Sequence, residues 1–133
     1  MFHPGGKLGA RLLRVRDLMH DDPPLVSADT PMGEALLVIT RRGFGVVGVM
    51  DAAGALIGIV TDGDLRRHMD GLLSLTAGEV MTPAPRTVGP EALAGEALGI
   101  MNDRKITCLL VTADGAHATG IVHIHDCLRA GVA

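Results

Sequence analysis

Short apolar runs set off by polar, turn-forming stretches give this chain its pattern. Met32, Ala35, Leu36 and Ile39 recur at i, i+3, i+4 and i+7, the spacing of one buried stripe, and predict a helix. Asp29 or Thr30 is placed to cap it, Pro31 suits its opening turn, and Gly43 suits its end. Two short runs rich in Val and Ile follow, 46–50 and 56–61, and predict strands. Between them Asp51-Ala52-Ala53-Gly54 carries turn chemistry, which makes the pair a hairpin. Ahead of the helix, Pro23 and Pro24 hold the chain extended into Leu25 and Val26. After the second strand, the polar Asp62-Gly63-Asp64 opens another short helix.

The same order recurs downstream. Slid against itself, the chain gives one gapless register from Met19 on Met81 to Arg67 on Arg129. Its identical pairs include Gly33/Gly95, Glu34/Glu96, Ala35/Ala97, Leu36/Leu98, Gly58/Gly120, Ile59/Ile121, Val60/Val122, Asp64/Asp126 and Arg67/Arg129. A tandem duplication accounts for this density of identities and fixes the reading of the second half. Ala94, Ala97, Leu98 and Met101 form its helix stripe. Runs 108–112 and 119–124 are its strands, Ala113-Asp114-Gly115-Ala116 its turn, and His125-Asp126 opens its last helix. The unit is β-α-β-β-α, twice. About sixty residues are marginal alone, so the expected fold is α/β (α+β), the two sheets packed around a pseudo-two-fold axis.

Composition narrows the function. At 133 residues and 47% hydrophobic, with 20% charged, the chain has the make-up of a folding sequence. Two Phe, no Tyr and no Trp leave few rings for stacking bases, and a formal net charge of −3 offers no broad phosphate-binding surface. Nucleic acid is therefore not an expected partner. Apolar runs are too short to span a bilayer, so no membrane partner is expected. The opening residues do not read as a positively charged, cleavable apolar leader, so export is not expected, and Cys108 and Cys127 lack metal-finger spacing, so a reducing, cytoplasmic setting is expected.

The motif residues carry a family resemblance. Gly58-Ile59-Val60-Thr61-Asp62-Gly63-Asp64 and Gly120-Ile121-Val122-His123-Ile124-His125-Asp126 close the second strand of each copy, and Val15-Arg16-Asp17-Leu18-Met19 and Ala77-Gly78-Glu79-Val80-Met81 open each copy. Together they resemble a tandem pair of cystathionine-β-synthase (CBS) domains, a Bateman module. A narrower resemblance, to the CBS pair of arabinose-5-phosphate isomerases, rests on three stretches. These are the segment from His3 to Val15, the string Thr61-Asp62-Gly63-Asp64-Leu65-Arg66-Arg67, and the string His123-Ile124-His125-Asp126-Cys127-Leu128-Arg129. This resemblance implies that residues 1–14 are a linker from a sugar-isomerase domain missing from this chain, 15–75 the first repeat and 76–133 the second. It implies a parent enzyme interconverting ribulose 5-phosphate and arabinose 5-phosphate for Kdo and lipopolysaccharide synthesis, with His3 belonging to that enzyme's active site. It also implies a homodimer formed through the helices of CBS pairs, and a nucleotide-type ligand between the repeats, with no cofactor.

Several residues then become candidates for ligand binding. Gly58 and Gly120 leave room for a ligand ring against backbone, and Asp64 and Asp126 can accept two hydrogen bonds from a ribose cis-diol or, alternatively, cap the following helix. In the first copy Thr61 and Asp62 stand beside Asp64, so an anion would meet two negative charges. In the second copy His123 and His125, two apart on extended backbone, are expected to point to one side. By the family's geometry Arg86, Thr87, Arg104, Lys105 and Thr107 approach the site and supply donors for the anionic part of a ligand. CMP-Kdo fits this division, with adenine nucleotides as the nearest alternative and an empty structural dimerisation module as the other. A metal site from His123, His125, Asp126 and Cys127 is a further reading by ligand type, but without spacing to fix it no metal is assigned. The basic Lys7, Arg11, Arg14 and Arg16 suit a docking element or a solvated linker face. Met19, Met32, Met69, Met81 and Met101 are expected as core or gap-filling residues, and Phe44 in the core or lining the first site. No catalytic residue is assigned.

Overall fold

A computed structural model of the chain describes residue 9 and residues 12–132. His3, Lys7, Arg11 and most of the proposed linker lie outside the described residues. The elements in chain order are α1 (Val15–Leu18), β1 (Leu25–Ser27), α2 (Met32–Arg42), β2 (Val47–Met50), β3 (Leu56–Val60), α3 (Asp62–Arg67), a 3-10 turn (Leu72–Ser74), α4 (Ala77–Val80), β4 (Thr82–Pro83), β5 (Thr87–Val88), α5 (Ala94–Arg104), β6 (Cys108–Thr112), β7 (Ala118–His123) and α6 (Ile124–Arg129). The β-α-β-β-α order is thus present twice.

The chain forms two compact units. One is Pro23–Pro85; the other joins the segment ending at Asp22 to the part beginning at Arg86. In the first, β1 runs parallel to β2, and β2 and β3 form the antiparallel hairpin, giving the sheet order β1-β2-β3-β4. In the second, β5 is parallel to β6 and β6 antiparallel to β7. The hairpins share an irregularity at the same place, between Val49 and Met50 and between Val111 and Thr112. Their turns share a device as well: Asp51 Oδ1 accepts the N–H groups of Ala53 and Ala55, and Asp114 Oδ1 those of Ala116 and His117.

Helix α2 buries Met32 and Ala35 and ends at Gly43, which takes φ 76° and donates its N–H to the carbonyl of Ile39. Its start differs from expectation. Pro31 is the N-cap and no side chain caps the helix, while the Thr30 hydroxyl is held by Ser27 instead. The stripe of α5 is buried as read, with Ala94, Ala97, Leu98 and Met101 at 5% exposure or less. Met32 and Met101 are core residues, whereas Met69 is exposed and departs from the reading that placed the methionines inside. Phe44 is half-buried between two glycines of positive φ.

Each unit borrows the lead-in of the other repeat. Thr82 and Pro83, which open the second repeat, pair with Ile59 and Gly58 on β3, and α4 buries Ala77 and Val80 in the first repeat's core. In register, His20 bridges Ile121 on β7, and α1 buries Val15 among Ala94, Ala97, Met101 and Val122. The glycines expected to face a ligand ring meet methionine here. A Cβ on Gly58 would collide with the Met81 side chain, and one on Gly120 would lie 2.8 Å from Met19 Sδ and 2.9 Å from the His20 carbonyl oxygen. Their conserved role between copies is therefore to let the lead-in lie flat on the hairpin.

The two glycines differ in what a methyl group would hit. At Gly58 every close atom belongs to one flexible side chain, whereas at Gly120 the His20 backbone is in the way. Gly120→Ala is expected to lower stability by about 1–3 kcal/mol and Gly58→Ala by less. Urea denaturation of both variants checks the order.

Candidate functional site

The motif at the end of each hairpin builds the candidate site. In the first unit Thr61 follows β3 as the N-cap of α3, and Asp64 occupies the third helical position. Asp64 is 2% exposed. Its Oδ2 accepts the Thr61 N–H at 2.9 Å and the Thr61 hydroxyl at 3.1 Å, and its Oδ1 accepts Thr82 Oγ1 at 2.6 Å and Arg67 Nη2 at 2.5 Å. Burial alone would raise its pKa, but the bonds from Thr82, the Thr61 N–H, Arg67 and the Thr61 hydroxyl outweigh it and hold the carboxyl below its ordinary range. Asp62 is exposed at the first helical position. An anion would thus meet Asp62 alone, since the charge of Asp64 is buried and paired.

The second unit repeats the plan with different side chains. His123 is the N-cap of α6, and Asp126, 8% exposed, sits at the third position. Asp126 Oδ2 accepts the His123 N–H at 2.9 Å, and Oδ1 accepts Arg129 Nη2 at 2.7 Å. His20 Nε2 reaches both oxygens, at 3.2 and 3.0 Å. An ionised carboxylate can only accept, so this nitrogen carries the proton. Neither aspartate is the cap residue itself: each stands at the third helical position and closes a capping box by accepting the N–H of Thr61 or His123.

His123 and His125 do face one side, though not by strand alternation. His125 lies in the first turn of α6, and its N–H donates to His123 Nδ1 at 3.0 Å. The rings stack, centroids 4.9 Å apart and planes 21° from parallel. Accepting that bond requires an unprotonated Nδ1, which leaves the His123 proton on Nε2. Burial, then the charge of His125, pushes the His123 pKa below its ordinary value.

Thr107 joins this group through its carbonyl, which accepts the Ile124 N–H at 2.8 Å. Thr87 starts β5. Arg86, Arg104 and Lys105 are exposed in the same unit, with Lys105 in the left-handed region as the C-cap of α5. Among the described residues no hydrogen bond ties these three to the Asp126 group. Sequence reasoning missed His20, Arg67, Thr82 and Arg129 as members of the sites. The internal register held the signal, because His20 aligns with Thr82 and both can donate to the aspartate of the partner motif.

Among the described residues no three His, Cys, Asp or Glu side chains converge on a metal position. Burial raises the thiols of Cys108 and Cys127 to about 11, so neither is a thiolate near neutral pH. No helix among the described residues is long and apolar enough to cross a membrane.

Two β-α-β-β-α units, each closed by a buried aspartate after the hairpin, define a class, and the model of the CBS domain matches residues 15–71 and 77–133. The chain belongs to the CBS domain family. It is 46% identical over 98% of its length to arabinose 5-phosphate isomerase KdsD of Escherichia coli (strain K12), and 46% identical, again over 98%, to KdsD of Pseudomonas aeruginosa. It spans only 41% and 42% of those enzymes' lengths. Among solved structures, the CBS domain pair of MJ0100, in complex with 5′-methylthioadenosine and S-adenosyl-L-methionine, superposes with a TM-score of 0.79 at 22% identity, covering 89% of this chain and 94% of that one. CBSX2 in complex with AMP gives a TM-score of 0.74 at 27% identity, covering 88% and 94%.

Two predictions follow from the aspartate and histidine caps. Asp64→Ala strands the Thr61 N–H and Thr82 hydroxyl and is expected to cost about 1–3 kcal/mol in chemical denaturation. The second concerns pH. Folding lowers the proton affinity of His123, so its neutral cap contributes stability above the unfolded value near 6.5, and that contribution is lost as pH falls through the lower folded value. His123→Thr installs the residue of the other copy. The stability difference between wild type and variant should shift against the wild type between about pH 7.5 and 5; parallel pH profiles of the two melting temperatures would remove the cap from the account.

Proposed function

We propose that this chain is the regulatory, ligand-sensing CBS pair of an arabinose-5-phosphate isomerase of Kdo and lipopolysaccharide biosynthesis. The observation that carries this reading is the 46% identity extending over 98% of the chain and matching 41% of KdsD. On it, residues 1–14 lead from a sugar-isomerase domain, the repeats span 15–75 and 76–133, and the chain itself is non-catalytic, homodimeric and cytoplasmic. The ligand is nucleotide-like, with CMP-Kdo the leading candidate. Asp126 would take the ribose diol. His123 and His125, with Arg86, Thr87, Arg104, Lys105 and Thr107 of the same unit, would supply donors for phosphate and sugar-acid carboxylate. Thr61, Asp62 and Asp64 are the corresponding set in the other unit. Regulation follows where the ligand prefers one conformation of the pair over another.

Two other readings have observations behind them. The resemblance to CBSX2, solved with AMP, favours an adenine nucleotide. The full hydrogen bonding of Asp64 as a helix cap favours a structural module that binds nothing.

Isothermal titration with CMP-Kdo, CMP and AMP separates the three. CMP-Kdo is expected to bind at least tenfold tighter than CMP, a difference of about 1.4 kcal/mol assigned to the sugar acid. Tighter binding of AMP would replace CMP-Kdo by an adenine nucleotide. No heat and no change in melting temperature with any of them would leave the structural module.

A further inference from the structure

Two side chains at the start of α6 have no counterpart of their kind in the other unit. His123 and His125 align with Thr61 and Gly63. The Thr61 hydroxyl is spent inward, donating to Asp64 Oδ2 at 3.1 Å, and Gly63 has no side chain to offer. Asp62, exposed between them, carries a negative charge. At this motif the first unit thus presents a carboxylate to an incoming anion and turns its hydroxyl away.

His123 does the opposite. Its Nδ1 accepts the His125 N–H at 3.0 Å, so the ring proton sits on Nε2, on the far side of the imidazole. Among the described residues no acceptor is bonded to Nε2, and since no buried polar side-chain atom lacks a partner, that nitrogen is open to solvent. The His125 ring lies over it and is exposed, centroids 4.9 Å apart and planes 21° from parallel.

The two imidazoles cannot serve alike. Protonating Nδ1 of His123 would remove the lone pair that caps the helix, and burial already favours the neutral ring. The His125 ring has no such commitment: only its backbone N–H is in that bond. Two positive rings in a stack repel, so a proton on one disfavours a proton on the other. Other charged and titratable groups face the pair as well. Asp126 is paired with Arg129 on the same helix at 2.7 Å, and His20 of the lead-in reaches Asp126 at 3.0 Å. Cys108, opposite His123 on β6, has its thiol raised by burial to about 11 and is neutral.

We propose that His123 and His125 form a proton-coupled clasp for the phosphate of the ligand, with separate duties: His123 stays neutral and donates from Nε2, while His125 takes one proton from solvent as the phosphate binds. The proposal rests on the nucleotide-sensing reading above and adds which unit takes the anion and how its affinity is regulated. Binding in the unit of Asp126 tightens as pH falls, until His123 itself protonates and gives up the Nδ1 bond.

The probes are the 5′-phosphate methyl esters of cytidine and adenosine, phosphodiesters that stay ionised throughout the histidine range, with the two nucleosides as uncharged controls. Isothermal titration in buffers of different ionisation enthalpy reads proton uptake directly, on the wild-type chain and on variants first shown to melt cooperatively. Wild type is expected to take up a fraction of one proton with the esters and none with the nucleosides, so that ester affinity rises about three- to tenfold from about pH 8 to 6. H125N keeps a donor that does not titrate and is expected to bind with no uptake and a flat pH profile. H123T installs the residue of the other unit, with a capping hydroxyl, and is expected to bind more weakly with the uptake intact. Nitrogen NMR should find Nδ1 of His123 unprotonated in the bound state. Ester binding without uptake in wild type, or uptake that survives H125N and disappears in H123T, would overturn the clasp and leave the sensor standing. Failure of both esters and both nucleosides to bind would overturn the sensor reading and the clasp with it.

Discussion

One buried carboxylate ties together the three elements that make each unit. Taking Asp64 or Asp126 out of water costs several kcal/mol unless the charge is fully hydrogen-bonded. The bonds come from separate places: the N–H at the end of the hairpin, an arginine one turn along the helix, and the lead-in of the other repeat through Thr82 or His20. Strand end, helix and lead-in must therefore meet for the aspartate to be tolerated. This is why Asp64/Asp126 and Arg67/Arg129 are identical between copies that differ at most other positions.

The same constraint explains the exchanged lead-ins. A lead-in can reach the aspartate only if it lies close against the hairpin, and glycine at 58 and 120 is what permits that approach. Met81 and Met19 then fill the space a side chain would have taken, with flexible thioethers suited to an irregular gap. Two short helices beyond them, α4 and α1, deliver Ala77, Val80 and Val15 to cores otherwise made by the other repeat. Neither repeat as a stretch of sequence owns its whole core.

Much of this was legible in advance, and the rest was hidden for definite reasons. The stripe 94/97/98/101, the hairpins and the stop at Gly43 follow from period, turn chemistry and a left-handed residue, all local signals. Strand β4 gave no such signal, because two residues, one of them proline, carry no alternation and pair only through a distant partner. The site was half legible. Register singled out Asp64 and Asp126, but the donors Thr82 and His20 lie far from them in sequence, 18 and 106 positions away. His125 was misjudged because the strand ends at His123, where a ring nitrogen replaces the usual hydroxyl cap and starts the helix one residue earlier than alternation suggests.

Duplication explains what the copies share; the exchanges between them are where their roles part. Thr61 becomes His123 and Thr82 becomes His20, and in both places a compact hydroxyl gives way to an imidazole. A hydroxyl at 2.6 Å completes one oxygen of the carboxylate, although Thr82 itself is exposed. A ring reaching in from a half-exposed side chain at 3.0 Å covers the carboxylate without completing it. The β-α-β-β-α plan recurs in both units, but the lead-in forms a two-residue strand on β3 in one and a single bridge at Ile121 in the other, so backbone and side chains differ together at this point. The first copy closes its carboxylate with separate donors on each oxygen, and the second closes the same carboxylate with one ring nitrogen shared between both oxygens.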